Sequence, residues 1–264
     1  MNGIAAGGRR RALWFTIFWL GVGIASFVLG VQNPIGQRAE DILLDAAEFT
    51  TNPPAPLNLV SIPSIAIALL LLGVLALFAH GIQRALVVTL LPAAAIATSQ
   101  LLKLHVLTRP ELFELDAPNT FPSGHMTVFT ALTAALIWAV PAQIRAFVAL
   151  AGAGLLGAVG WQLLAYGWHR PSDVLGALAL GVIAFALAGL IRPARTRGTV
   201  TLGATISIGL VLLGWIMVAA ALTLAAIAGV SGNADLMLSA GEFGGVGASA
   251  LAARALLLLS VGRD

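Results

Sequence analysis

The sequence predicts an all-α fold, a polytopic membrane bundle of about eight transmembrane helices. Of the 264 residues, 59% are hydrophobic and only 9% are charged, whereas soluble domains carry roughly 25% charged residues. A chain with so few charges cannot cover a water-facing surface. Its apolar runs also approach the roughly 20 residues that cross the hydrocarbon core of a bilayer. Cysteine is absent, which excludes disulfides and thiolate metal sites.

The first apolar run, residues 12–31, follows the arginines at 9–11. It is longer than the hydrophobic region of a signal peptide and has no clear cleavage site, so we read it as an uncleaved span rather than a cleaved or twin-arginine signal. The remaining expected spans are 58–79, 86–107, 125–140, 146–167, 173–191, 200–228 and 243–261. The run at 125–140 is short, so we expect it to start below the membrane surface.

Residues 32–56 form a polar interval between the first two spans. Acidic side chains alternate there with apolar ones at helical spacing, which predicts a short amphipathic helix on the membrane surface. The acidic residues of this interval are Glu40, Asp41, Asp45 and Glu48. We expect one membrane domain over residues 1–264, with a core and its outer helix in 1–197 and two additional spans in 198–264.

Basic residues are unevenly distributed between the two sides of the predicted bundle. If the first span runs outward, the inner segments hold Arg9, Arg10, Arg11, Arg84, Arg145, Arg192, Arg195, Arg197 and Arg263. The outer segments hold only Arg38, Lys103, Arg109 and Arg170, together with every acidic residue except Asp264. This is the positive-inside pattern, and it predicts that both termini of a multi-pass cell-membrane protein are cytoplasmic.

Three polar segments, 103–110, 121–125 and 169–173, fall on the predicted outer side. Hydrolysis of a phosphate ester needs groups that hold the anionic oxygens, a nucleophile, and a proton donor for the leaving oxygen. Lys103 and Arg109 supply positive charge, and arginine can hold phosphate with two hydrogen bonds. The first segment therefore has the side chains of an anion site.

The second segment, Ser123-Gly124-His125, is expected to open a helix. Backbone N–H groups at a helix start can bind an anion, and Gly124 lets the backbone approach closely. His125 can exchange a proton near neutral pH.

In the third segment, His169 and Asp173 are four residues apart and Pro171 suits a first helical turn. If the turn is helical, the carboxylate reaches the imidazole and leaves the other ring nitrogen as a nucleophile or base. The structural alternative is that Asp173 only caps the sixth span.

Taken in order, Lys103…Arg109-Pro110, Pro122-Ser123-Gly124-His125 and His169-x-x-x-Asp173 resemble the motifs of the metal-independent lipid phosphate phosphatases. These enzymes form the type-2 phosphatidic acid phosphatase superfamily, and the resemblance covers roughly residues 58–191. It implies a six-helix core, no metal and no cofactor. It also implies a nucleophile that forms a phosphohistidine (His169), an orienting carboxylate (Asp173), a general acid (His125) and phosphate ligands (Lys103, Arg109, Ser123 and the Gly124 amide).

Two positions depart from the family pattern. Five residues separate Lys103 from Arg109, where the family usually has six. If this segment unwinds before Pro110, the missing residue can be absorbed. The arginine that usually precedes the nucleophile by six residues is replaced by Leu163. We hypothesise that Arg170, beside His169, takes over part of that arginine's role.

The expected function is hydrolysis of a phosphate ester or diphosphate on a membrane lipid at the outer face. The expected partners are a lipid phosphate or polyprenyl diphosphate substrate and membrane lipids, without nucleic acid; a homo-oligomer is compatible with the sequence. One alternative is a phosphotransferase that passes the phosphoryl group to an alcohol. Another is a non-catalytic protein that binds or transports an anionic lipid. The missing arginine favours this last alternative, whereas His125, His169 and Asp173 argue against it.

Overall fold

The structure is a computed structural model and describes residues 2–113, 118–191 and 201–261. These residues form helices and connecting turns, without a strand. The helices are α1 Asn2–Ser26, α2 Pro34–Asp45, α3 Ile62–His80, α4 Ile82–Leu101, α5 Gly124–Ala139, α6 Arg145–Ala165, α7 Pro171–Ile191, α8 Thr201–Ser231 and α9 Ala234–Ser260. Wider π-helical turns, Phe27–Val31 and Leu102–Val106, extend α1 and α4.

Seven of these helices are long and apolar enough to cross a membrane, and α5 is a shorter apolar helix of 16 residues. The predicted polytopic helix bundle is confirmed. The last span begins earlier than predicted, because α9 starts at Ala234 rather than near 243. The side chain of Asn233 caps this helix by accepting a hydrogen bond from Leu236 N at 3.0 Å. The first nine residues of α9 include Asp235 and Glu242, so this part of the helix does not read as an apolar run.

The helices α5, α7 and α9 form the interior of the bundle. Trp138 of α5 meets Phe185 of α7 edge to face, with ring centroids 4.8 Å apart. In the most apolar window of each helix, 67% of α9 is buried but only 17% of α8. The two spans expected as additions to the core therefore differ: α8 lies outside, and α9 packs against α6 and α7.

The amphipathic helix expected between the first two spans is α2. Asn33 caps it by accepting from Ile35 N at 2.8 Å, and Pro34 occupies its first position. Its buried face carries Gln37 and Glu40 as well as Leu43. This face packs against α9 and the end of α1, so α2 places polar side chains inside the protein.

Arginines at one end of the bundle, here called the arginine end, bind the carbonyl groups of helix ends. The contacts are Arg11 Nη2 to Val261 O (3.3 Å), Arg84 Nη1 to Trp138 O (3.2 Å), Arg145 Nε to Val140 O (3.1 Å) and Arg145 Nη1 to Ser260 O (3.0 Å). Three of the arginines predicted to be cytoplasmic thus share one end. Arg192, Arg195, Arg197 and Arg263 lie outside the described residues. Which end faces the cytoplasm stays a prediction.

Candidate active site

His169 and Asp173 meet at the start of α7. His169 Nδ1 lies 3.1 Å from Asp173 Oδ2, and both side chains are buried. The same oxygen accepts hydrogen bonds from Thr120 Oγ1 at 2.6 Å and from Arg170 N at 3.0 Å. A carboxylate at the third helical position that binds the N–H before the helix is half of a capping box. Asp173 therefore both caps α7 and orients His169.

Ser123 begins α5 and joins it to α7. Its hydroxyl accepts from Met126 N at 3.3 Å, and its own N–H donates to the backbone oxygen of Asp173 at 3.0 Å. The next residue, Gly124, faces the end of α4. A β-carbon built on Gly124 would lie 2.9 Å from Gln100 Nε2, so a side chain at this position would displace the end of the Gln100 side chain. The expected helix start is confirmed, whereas the close approach of an anion to the backbone at Gly124 stays a prediction.

Lys103 lies in the π-helical turn Leu102–Val106, beyond the regular part of α4. A π turn takes more residues than an α turn, and the backbone is extended immediately after it. Asn119 holds the turn by donating to Lys103 O at 3.2 Å. Lys103 Nζ lies 3.8 Å from the β-carbon position of Gly124. The chain thus leaves the helix before Pro110, as absorbing the short spacing to Arg109 requires, and Lys103 lies beside the start of α5.

His125 occupies the second position of α5 and is half-buried. Its ring packs edge to face on Trp168, with centroids 5.5 Å apart. It also lies within electrostatic range of His169 and Lys103. The structure therefore places the predicted proton donor near both the predicted nucleophile and a predicted phosphate ligand.

Arg109 lies beside a carboxylate that the sequence analysis did not include in the site. Arg109 Nη1 is 3.9 Å from Glu40 Oε2, and the two side chains are only 3% and 9% exposed. Glu40 Oε1 accepts a hydrogen bond from Ser172 N at 2.9 Å. Burial, followed by the charge of Asp173, raises the pKa of Glu40 to about 7, against the opposing effects of Ser172 and Arg109. Glu40 is therefore close to its titration point at neutral pH.

Two glutamines bind the backbone around Arg109. Gln32 precedes α2, and Gln37 lies within it. Gln37 Nε2 donates to Pro110 O at 2.8 Å, and Gln37 Oε1 accepts from Phe113 N at 3.2 Å. Gln32 Nε2 donates to Thr108 O at 2.6 Å. The sequence showed the amphipathic period of α2 but not which side would be buried. Polar residues one helical turn apart, at 37 and 40, were the available signal.

An apolar side chain occupies the position where the family usually has an arginine. Leu163 is fully buried in the hydrophobic core. Arg170 is also buried, and its Nη1 donates to Thr120 Oγ1 at 3.3 Å. Because Thr120 in turn donates to Asp173, the Arg170 side chain lies at the site, as our hypothesis requires. Its part in holding phosphate stays a prediction.

The structure brings all the residues predicted for the site to one end of the bundle, here called the site end. They are Lys103, Arg109, Ser123, Gly124, His125, His169, Arg170 and Asp173, linked through the contacts described above. This constellation combines cationic side chains, two helix starts, an oriented imidazole and a second histidine. It can bind an anion and transfer a proton.

One comparison with known proteins gives a match, to a protein family. No curated protein and no solved structure matches the chain. The sequence model of the PAP2 superfamily matches residues 64–197. This range includes α3 except its first two residues, α4 to α7 and all eight predicted site residues, but not α2. Members of this superfamily are generally phosphatases, which supports a hydrolase acting on phosphoric esters. With half of its length matched, the chain belongs to the PAP2 superfamily.

Proposed function

We propose that this protein is an integral-membrane phosphatase that hydrolyses a phosphate monoester or diphosphate of a membrane lipid through a phosphohistidine intermediate. The bond between His169 Nδ1 and the buried Asp173 carboxylate carries this proposal. It holds one ring nitrogen in place and leaves Nε2 as the nucleophile. Anion binding alone would need neither an oriented imidazole nor a second histidine, so the arrangement favours catalysis over a binding role.

In the first step, His169 Nε2 attacks phosphorus, and an N–P bond forms as the bond to the leaving oxygen breaks. His125 gives its proton to that oxygen, so the lipid leaves as a neutral alcohol or a shorter phosphate. Asp173 stabilises the imidazolium that develops on His169. Lys103, Arg109 and the start of α5 hold the equatorial oxygens, where charge accumulates in the transition state.

In the second step, His125 takes a proton from water, and the resulting hydroxide oxygen attacks phosphorus. The N–P bond breaks, inorganic phosphate leaves, and His169 and His125 return to their initial protonation states. An alcohol in place of water would give a phosphotransferase by the same route.

The site lies at one end of a bundle of apolar helices, which suits a substrate whose head group is polar and whose chains stay in the bilayer. The arginines of the opposite end support an outer location for the site, because the positive-inside rule places them in the cytoplasm.

The test is phosphate release from a panel of lipid phosphates and diphosphates by the purified protein in detergent with EDTA. We expect release that survives chelation and is lost in His169→Ala. His105→Ala is the matched control, because His105 is exposed at the same end, and it should retain activity. Equal release from wild type and His169→Ala would overturn the proposal. Transfer to an added alcohol in place of phosphate release would identify the phosphotransferase instead.

A further inference from the structure

The segment 32–40 lies outside the part of the chain that the superfamily model matches, yet three of its side chains enter the site. Gln32 and Gln37 bind the backbone of the loop that contains Arg109, at Thr108 O and Pro110 O. Glu40 contacts the Arg109 side chain and the start of α7. This segment therefore touches both the predicted phosphate ligand and the helix that carries the predicted nucleophile.

Gln37 is fully buried and uses both ends of its amide on this connection. Its Nε2 donates to Pro110 O and also to Val31 O, each at 2.8 Å, while its Oε1 accepts from Phe113 N. Gln37 thus binds the loop of Arg109 to α2, and binds α2 to the end of α1. Such a connection restricts the loop to one position relative to α2.

Glu40 is enclosed where α2, α7 and the end of α1 meet. A β-carbon built on Gly30 would lie 3.0 Å from Glu40 Oε1 and 2.6 Å from Ser172 Cβ, so the three elements leave little room for water. Glu40 Oε1 binds Ser172 N, whereas its buried Oε2 has no hydrogen-bond partner among the described residues. At 3.9 Å, the contact of Oε2 with Arg109 is an ion pair without a hydrogen bond.

The charged groups that act on Glu40 are Arg109, which favours its ionised form, and Asp173, which opposes it. The end of α1 at Phe27–Val31 has no titratable side chain, and α9 presents Gly241 to α2 at Leu43. A phosphate held by Arg109 would add negative charge beside Glu40. That charge would further favour the protonated carboxyl group.

We propose that Glu40 is a positioning residue for Arg109, which it pairs with when no anion is bound, and that it takes up a proton from solvent when an anion binds there. This inference rests on the proposed function, because it takes Arg109 as a phosphate ligand. While Glu40 is ionised it holds the guanidinium in place but competes with phosphate for its charge. The protonated carboxyl group keeps its bond to Ser172 N and no longer competes.

The test measures the affinity for inorganic sulfate, a dianion whose own charge is constant across neutral pH. Sulfate binding is read from the rise in unfolding temperature with sulfate concentration, which needs no turnover. In Glu40→Gln the amide oxygen can still accept from Ser172 N, but the charge is gone. We expect this variant to bind sulfate about tenfold tighter than wild type at about pH 8 and equally at about pH 5.5. Asp45→Asn, the same change at an exposed position of α2, should behave as wild type.

Glu40→Ala provides a second measurement, because it also removes the acceptor for Ser172 N. It should lower kcat at every pH, and Glu40→Gln should restore kcat, because the amide reproduces the bond of the protonated carboxyl group to Ser172 N. The same pH dependence of sulfate affinity in wild type and Glu40→Gln would overturn the inference, even if hydrolysis depends on His169. The predicted sulfate pattern in a protein without phosphatase activity would support the inference and overturn the proposed function. A wild-type protein that binds no sulfate at either pH would overturn the inference, and phosphate release from lipids would then decide the proposed function.

Discussion

The two ends of the bundle both bury cationic side chains but give them different partners. At the arginine end, Arg84 and Arg145 donate to backbone carbonyls where α5 and α9 finish. At the site end, Arg109 and Arg170 contact side chains, a carboxylate in one case and a hydroxyl in the other. One residue type therefore completes helix ends on one side of the protein and builds a polar cluster on the other.

Helix direction explains the difference. α5 and α7 begin at the site end, where backbone N–H groups and the helix dipole favour negative charge. α5 and α9 finish at the arginine end, where carbonyl groups need donors and the dipole favours positive charge. The arginine end is thus expected to contribute stability alone, whereas the site end can hold an anion. Four predictions test this contrast, in order of decreasing effect.

The largest effect is expected for His169→Ala at the site end. Loss of the nucleophile should lower kcat/KM by about a thousandfold or more, equivalent to about 4 kcal/mol of transition-state stabilisation. Because Asp173 keeps its bonds to Thr120 and Arg170 N, the fold should persist. Kinetics and the unfolding temperature in detergent check both parts. Unfolding of this variant at the temperature of the assay would show that the site also supports the fold.

Arg145→Ala, at the arginine end, should lower stability and leave activity unchanged. It removes the Arg145 donors to Val140 O and Ser260 O. Val140 O keeps its contact with His80 Nε2 at 3.2 Å, so the loss should cost about 3 kcal/mol of unfolding free energy. Turnover per folded molecule should stay at the wild-type value. Arg10→Ala is the control, because Arg10 is exposed at the same end. A fall in turnover with normal stability would contradict the division between the two ends.

Stability should depend on pH through Glu40. The pKa of this carboxyl group is about 7 in the folded protein and 4.5 without its surroundings. Between these values the folded state binds more protons than the unfolded state. The contribution of Glu40 to the unfolding free energy is therefore fully present below about pH 4.5. It falls by about 3 kcal/mol as the pH rises to about 7.

Glu40→Gln should remove this part of the pH dependence, because the amide does not titrate. The measurement is the unfolding free energy in detergent across this pH range for wild type, Glu40→Gln and Asp45→Asn. An equally steep fall in all three proteins would assign the effect to other groups.

The smallest of the four effects is expected for Arg170→Ala. If Arg170 replaces the family arginine, its loss should remove one charge-assisted contact to phosphate, about 2 kcal/mol or roughly thirtyfold in kcat/KM. Arg170→Lys should recover part of this loss, because lysine keeps the positive charge but cannot form the bidentate hydrogen bonds of a guanidinium. Unchanged activity and phosphate affinity in Arg170→Ala would reject the hypothesis.

Local patterns made most of the spans and the site predictable. Apolar runs of sufficient length predicted eight helices, and Ser123 and Pro171 marked two helix starts that the structure confirms. The spacing of His169 and Asp173 predicted their contact. The contact forms at the start of α7 rather than within a helical turn, because His169 lies two residues before the helix. The start of α9 was misplaced, since Asp235 and Glu242 interrupt its apolar pattern.

The sequence by itself determined the membrane class, the order of the helices and the polar segments that meet at the site end, because each depends on composition or on contacts within a few residues. Only the tertiary structure decided that α9 lies inside, that a π-helical turn keeps Lys103 beside Gly124, and that Gln37 and Glu40 contact the loop of Arg109. These features depend on which face of a helix meets which neighbour. An amphipathic pattern shows that a helix has two faces, but the partner that covers each face is selected by packing among segments far apart in the chain.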